Sequence, residues 1–347
     1  MISTGSGWRA IHSREGRAVK GLATIGVAGA GAWGLALANA VASAGRGVAI
    51  WGRDAASMRA LDETRRGARL PGVALAPAVR ASADMRVLEG CDAILVVVPA
   101  QATRDAAGRI AAALSRPRPL VACAKGIERG SDRFMTEVLA EAAPGWPSAI
   151  LSGPSFAADV AAGLPTAVTL ASVDDDLARR LCAALRGPNL RLYHSTDVRG
   201  VEIGGAAKNV LGIACGVAAG LELGASAGAA LIARGFAELR RFGETFGARP
   251  NTLMGLSGLG DLVLTCSSRQ SRNFAFGLAL GQGRGVGEAS AGKLVEGVFT
   301  ASALMKMARA RSVDMPISAT VEALLGGSID ARGAAGALLA RPLKGEE

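Results

Sequence analysis

From residue 24 the chain alternates short apolar runs with longer stretches whose apolar positions recur at helical spacing. TIGVA, GVAIW and CDAILVVVP are bounded by Gly, Pro or Asp, and PLVACAKG, SAILSG and TAVTLAS follow at wider intervals. Such runs are continuous rather than alternating, as strands of a parallel sheet covered on both faces require. Helices between them make this the pattern of a doubly wound α/β fold.

Past residue 197 the strand pattern stops. GAAKNVLGIACGVAAGLE, AGAALIARGFAELRRFGETFG, FTASALMKMARAR and ISATVEALL all have helical period, separated by Gly-rich connections at 255–260 and 281–287. The expected organisation is a basic tail over 1–22, a sheet domain over 23–196 and an all-helical domain over 197–343. At 347 residues the chain is long enough for two such cores.

Composition narrows the function classes. The formal net charge is +10, yet the chain has one Tyr and 4% aromatic residues, too few stacking platforms for a base-binding protein. Nucleic acid is therefore not an expected partner, and an anionic small molecule fits the excess charge better. Arg9, Arg14, Arg17 and Lys20 put part of that excess in the opening segment, which lacks the apolar core of a secretory signal. Cys91, Cys123, Cys182, Cys215 and Cys266 form no CxxC and no metal-like spacing. They read as reduced core thiols of a cytoplasmic protein, without metal or disulfide. Residues 203–221 approach the length of a membrane span, but Lys208 near their centre and their glycines fit a tightly packed core helix instead.

Gly29-Ala30-Gly31-Ala32-Trp33-Gly34 is a GxGxxG between the first apolar run and the first helix, the context in which that spacing carries meaning. Gly29 permits the tight turn, Gly31 lets a pyrophosphate approach the backbone, and Gly34 lets helix and strand pack closely. The helix start then offers free N–H groups to the phosphates. This is the Rossmann signature, implying NAD or NADP. The second strand ends in WGRD, placing Arg53 and Asp54 side by side. A carboxylate there suits the ribose of NAD and an arginine the extra phosphate of NADP, so the pair leaves the choice open, with NADP slightly favoured.

Lys208 and Asn209 stand alone in the apolar run EIGGAAKNVLGIACGVAAGLE. A buried amine loses basicity and can approach neutrality, where acid–base catalysis is efficient. Asn209 is placed to steady the reacting oxygen or to hold that amine. Of the two imidazoles, His12 lies in the tail and His194 in YHST reads as structural more readily than catalytic. Asp261, in GLSGLGDLVLTC, is either a helix N-cap or a carboxylate that orients Lys208 or takes a substrate hydroxyl. Ser271-Arg272-Asn273 opens a helix with a cap, a guanidinium and an amide, a good phosphate site. Lys125 adds a cation just after a strand, where ligands meet this fold.

GAGAWG, VVVPAQ, KGIE, LSGPSFAADVAAGLPTA, EIGGAAKNVLGI, GLGDLVLTC, SRNFAFG and VEG, in that order, resemble bacterial NAD(P)-dependent glycerol-3-phosphate dehydrogenases from about residue 23 onward. The resemblance implies an oxidoreductase that interconverts dihydroxyacetone phosphate and sn-glycerol 3-phosphate for phospholipid synthesis. It implies that Lys208 is the catalytic base and also binds substrate, with Lys125, Gly153, Ser155, Asp261, Ser271, Arg272 and Asn273. Ala32, Trp33, Arg53, Lys125, Ala157, Arg272, Leu294 and Glu296 join the glycines as implied cofactor positions. The family often has Ser where this chain has Ala32, so one hydroxyl near the pyrophosphate is missing. A different ketone reductase on the same plan, or a dinucleotide sensor without activity, are the rival readings. A homodimer is compatible with the apolar helical half.

Overall fold

The computed structural model describes residues 21–339. Residues 1–20, with His12 and nearly all of the expected basic tail, lie outside the described residues, as do 340–347. Strands β1 (Thr24–Ala28), β2 (Gly47–Trp51), β3 (Val79–Ser82), β4 (Ala93–Val96), β5 (Leu120–Ala122), β6 (Ser148–Ser152), β7 (Thr166–Ala171) and β8 (Leu190–Ser195) form one sheet, ordered β3-β2-β1-β4-β5-β6-β7-β8. Helices α1 (Ala32–Ser43), α2 (Ala55–Thr64), α3 (Thr103–Ala113), α4 (Met135–Ala142), α5 (Ala157–Ala161) and α6 (Asp175–Leu185) alternate with the strands. Successive side chains of a strand serve opposite cores. Ala93 and Leu95 of β4 join the layer of α1 and α6, whereas Ile94 and Val96 join that of α3 and α4. Both faces are dry, which is why these strands carry unbroken apolar runs.

The sheet departs from the expected parallel one in three ways. β7 pairs antiparallel with β6, while β8 pairs parallel with β7. β3 and β8 are strands that the apolar-run criterion does not detect. Each lies at a sheet edge and exposes part of its length, so polar residues interrupt its pattern.

The reversal at β7 positions the site. The 153–165 connection turns back at the carboxyl edge of the sheet and leaves Gly153, Ser155 and α5 there. β7 and β8 then run the other way, so the chain leaves β8 at the opposite edge. The next helix, α7 (Val198–Gly220), must climb back along the sheet. From Val198 to Lys208 this is about 15 Å of helix axis, enough to bring Lys208 level with the strand ends. The close fit of Gly205 to the side chains of Ser152 and Lys125 marks where α7 passes them.

Around α7 pack α8 (Gly224–Glu244), α9 (Pro250–Leu253), α10 (Asp261–Ser267), α11 (Arg272–Gly281), α13 (Glu296–Arg309) and α14 (Pro316–Leu325), while α12 (Val286–Ser290) lies on α11 and α15 (Ala331–Leu339) on α14. The stretch expected as a connection at 255–260 is in fact a π-helical turn, Leu256–Gly260, running straight into α10. Gly258 makes this close approach possible, because a β-carbon on it would stand 1.8 Å from the Leu253 carbonyl oxygen.

Every residue of α7 from Gly200 to Ala218 is buried, and its glycines explain how. A β-carbon on Gly216 would sit 2.2 Å from the Phe274 carbonyl oxygen, and one on Gly220 2.3 Å from that of Leu278. From the other side, Gly277 and Gly281 of α11 meet the Ile213 and Val217 carbonyls at 2.1 and 2.4 Å by the same measure. The two helix backbones touch. Glycine lowers helix propensity by about 1 kcal/mol per residue, and here that cost is offset by close packing. Among the described residues α7 is the one helix long and apolar enough to cross a membrane, and 89% of its most apolar window is buried in this core.

Candidate active site

The glycine turn adopts the geometry its spacing predicts. Gly29 has φ +129°, and a β-carbon there would lie 2.2 Å from the Val97 carbonyl oxygen. Gly34 comes so close to the Gly29 carbonyl oxygen that a β-carbon would stand 1.8 Å from it. Gly31 is different: a β-carbon on it would meet nothing within 4 Å. The turn is therefore sealed at its two ends and open in the middle, at the N-terminus of α1. Ala32 and Trp33 begin that helix, and Trp33 is half-buried against the sheet core. This cradle fits a pyrophosphate.

At the end of β2 the two candidate residues have different fates. Asp54 caps α2, its Oδ1 accepting from the Ser57 N–H at 2.7 Å, and the Ser57 side chain together with that N–H holds its carboxyl below the usual range. Arg53 is exposed beside it.

Across the cleft, one carboxylate gathers two amines. Asp261, 1% exposed, takes the Lys208 ammonium on Oδ1 and the Lys125 ammonium on Oδ2, the latter at 2.8 Å. Lys125 Nζ also donates to the Gly153 carbonyl at 2.7 Å, and Ser155 Oγ donates to the same oxygen at 3.0 Å. Gly153, at φ +138°, is pressed against the Val168 backbone, so no other residue fits that turn. Asp261 is the first residue of α10, a position that favours an anion, but Gly260 occupies the cap. Asp261 is therefore not the cap of α10, and its carboxylate is ion-paired to Lys208 instead.

Lys208 is 6% exposed, and burial draws its pKa down from 10.5 to about 7. Asp261 opposes that shift, while the charge of Lys125 adds to it. Burial outweighs the ion pair because the amine has lost nearly all its water.

Ser271 caps α11, its Oγ accepting from the Phe274 N–H at 3.3 Å, and Arg272 is exposed at the helix start. The first N–H groups of α11 have no acceptor within the helix. The amides of Asn209 and Asn273 face inward rather than toward the cleft. Asn209 donates to the Lys125 and Gly205 carbonyls, and its oxygen accepts from Asn273. The expectation that Asn209 steadies a substrate oxygen or holds the amine does not match this geometry, because its polar atoms are already engaged.

Glu296 opens α13 and accepts from the Ala100 N–H at 3.1 Å through Oε1. Its Oε2 is buried without a hydrogen-bond partner, and burial raises its pKa. The hydroxyls of Ser152 and Ser257 are also buried and unpartnered. A buried acceptor without a donor, as at Glu296, is a place for a ligand's donor, and with the cradle at Gly31 the residues fit a dinucleotide. Neither serine stands out in the sequence, since a lone Ser after an apolar run carries no signal. Ala157 opens α5 against the sheet core and Leu294 is half-buried just before α13. His194 lies apart on β8, paired with Asp175 at 3.1 Å. All five cysteines are buried and free, and no group of three metal-ligating side chains occurs among the described residues.

A sheet edge shaped for a dinucleotide, closed by a helical half that carries a buried amine to it, is the plan of a dinucleotide-dependent dehydrogenase. Residues 24–178 match the family model described as NAD-dependent glycerol-3-phosphate dehydrogenase N-terminus, and residues 197–335 match its C-terminal counterpart. The chain belongs to the NAD-dependent glycerol-3-phosphate dehydrogenase family. It is 60% identical over 324 residues to a glycerol-3-phosphate dehydrogenase [NAD(P)+] of Azorhizobium caulinodans, covering 93% of this chain and 98% of the relative. A Methylobacterium radiotolerans protein of the same name is 58% identical with the same coverage. The crystal structure of glycerol-3-phosphate dehydrogenase from Coxiella burnetii superposes with a TM-score of 0.87 at 38% identity, covering 92% of this chain and 99% of that one. The chain is an oxidoreductase that uses NAD or NADP.

Proposed function

We propose that this chain interconverts dihydroxyacetone phosphate and sn-glycerol 3-phosphate with NAD(P)H, supplying glycerol 3-phosphate for phospholipid synthesis. The observation that carries the reading is the single buried carboxylate of Asp261 holding both Lys208 and Lys125.

In the reductive direction the hydride for C2 of the ketone would come from a reduced nicotinamide held at the sheet edge. Lys208, as ammonium, donates the proton to the C2 oxygen, and as neutral amine removes it in the reverse reaction. A pKa of about 7 lets one group serve both directions near neutral pH. Asp261 keeps the amine aimed, and Lys125, Gly153 and Ser155 line the same edge. Ser271, Arg272 and Asn273 take the phosphate through the guanidinium and the open N–H groups of α11. Asn273 contributes its main chain there, its amide being engaged elsewhere. Anchoring the phosphate holds C2 in place, so binding at the unreactive end serves the reaction.

For the dinucleotide, Gly29, Gly31, Ala32, Trp33 and Gly34 hold the pyrophosphate, while Ala157, Leu294, Glu296, Lys125 and Arg272 hold the nicotinamide end. Arg53 takes a 2′-phosphate, and because Asp54 is committed to its cap, NADPH is the preferred partner. Residues 23–196 supply most of the cofactor positions, and 197–343 supply the catalytic amine and the phosphate grip. The free buried thiols fit a reducing cytoplasm, and exposed Met254 and Val263 on the helical half fit a homodimer, checked by sedimentation.

The test is loss of NADPH absorbance on adding dihydroxyacetone phosphate, with Lys208→Met as control. A protein that binds NADPH but leaves it unoxidised is a sensor, and that result ends the proposal. Oxidation with 2-ketoacids but not with the triose phosphate gives it to the rival reductases.

A further inference from the structure

Behind the ion-paired lysines, two buried asparagines form a chain that the proposed chemistry leaves unused. Asn209 Nδ2 donates to the main-chain carbonyl of Lys125 at 2.6 Å and to that of Gly205 at 3.3 Å. Its Oδ1 accepts from Asn273 Nδ2 at 2.8 Å, and Asn273 Oδ1 accepts from the Gly297 N–H at 3.0 Å. The sense of both amides is forced by their outer partners. Lys125 and Gly205 present carbonyls, so Asn209 must turn its nitrogen to them. Gly297 presents an N–H, so Asn273 must offer its oxygen. What remains in the middle is one donor facing one acceptor. Gly297 has no room to drift, because a β-carbon on it would meet the Asn209 carbonyl at 2.7 Å and Asn273 Oδ1 at 2.8 Å.

The ends of this chain are the functional pieces. Lys125 sits at the sheet edge with Asp261, Arg272 precedes Asn273 at the start of α11, and Glu296 precedes Gly297 at the start of α13. The sheet edge and the starts of two helices meet through two amides. A neutral amide also does this beside Lys208 without adding a charge that would move the basicity of the amine.

We propose that Asn209 is a positioning residue. Through Asn273 it sets the spacing between the sheet lysine, the phosphate-binding helix start and the cofactor-binding start of α13, while touching no ligand itself. This rests on the function proposed above, and the test separates the two.

NADPH binding is measured by its fluorescence without ketone, and KM and kcat for dihydroxyacetone phosphate by absorbance, in Asn209→Ala, Asn273→Ala and the double variant. If the pair is one relay, each single variant weakens NADPH binding and raises the ketone KM about tenfold, the scale of a lost buried hydrogen bond. The double variant then loses no more than the worse single one. Asn209→Thr, whose hydroxyl cannot reach both ends, replaces the alanine variant if that does not fold. Wild-type binding and KM in folded Asn209 variants, however far Tm drops, would show a merely structural role and overturn the proposal. So would losses that multiply in the double variant. A wild-type protein that binds no NADPH or reduces no ketone fails the functional reading itself, and the relay falls with it.

Discussion

Lys125 and Lys208, one from the sheet edge and one from the central helix, are ion-paired to opposite oxygens of the same buried carboxylate, Asp261. Two cations on one anion leave an excess positive charge in a site that is nearly dry. That arrangement suits an anionic substrate and keeps one amine weakly basic.

The first consequence is a pair of opposed pH profiles. Reduction needs Lys208 charged and oxidation needs it neutral, with the change near pH 7. Reductive kcat/KM should fall as pH rises through about 7, and oxidative kcat/KM should rise through the same region. Lys208→Met should lose both inflections and at least about 10²-fold in kcat while binding NADPH normally. Steady-state rates in both directions from pH 5.5 to 9.5 check this.

Stability should carry the same signature. Folding lowers the Lys208 pKa from 10.5 to about 7, so between these values the unfolded chain binds more protons than the folded one. Stability from this group therefore rises with pH across that window and is flat below it. The difference in urea unfolding free energy between wild type and Lys208→Met isolates the effect. A difference that declines from pH 7 to 10 contradicts the burial of the amine.

The neighbours of Lys208 should move its titration in opposite directions. Asp261 raises its pKa and Lys125 lowers it. The oxidative inflection should move down in Asp261→Asn and up in Lys125→Met. Removing the shared carboxylate also leaves two amines facing each other, so Asp261→Asn should cost about 3–5 kcal/mol of stability, read by urea melts.

In the glycine turn, alanine should separate binding from folding. Gly31→Ala adds a methyl group to open space and should keep its Tm while weakening NADPH binding at least about tenfold, a loss of about 1.4 kcal/mol. Gly34→Ala drives a β-carbon into the Gly29 carbonyl and should destabilise the whole protein. Calorimetry alongside NADPH titration distinguishes the two.

Cofactor choice should follow Arg53 rather than Asp54. Arg53→Ala should lower kcat/KM for NADPH and leave NADH nearly unchanged. Asp54→Ala should slightly lower Tm by uncapping α2 without improving or impairing NADH use. Kinetics with both cofactors decide it.

Much of this protein was legible before any coordinates. The glycine spacing between an apolar run and a helix dictated its own turn, because sterics at Gly29 and Gly34 are local. Lys208 was conspicuous because a charge in an apolar helix has few reasons to be there, and the cap at Ser271 followed from residue type alone. The central strands, dry on both faces, announced themselves as apolar runs, while the half-exposed edge strands β3 and β8 did not.

Other features depend on what lies across the chain. WGRD does not reveal that Asp54 will be taken by the Ser57 N–H, leaving Arg53 exposed beside it. The direction of β7 sets which sheet edge α7 starts from, and so whether Lys208 reaches Lys125 at all. Asp261 finds Lys125, Asn209 the Lys125 carbonyl and Asn273 the Asn209 amide across 136, 84 and 64 residues of chain. Residue types and their spacing settle conformations governed by near neighbours. Burial, ionic pairing and the resulting basicity of Lys208 are sums over surroundings that exist only once the sheet and the helices have closed on each other.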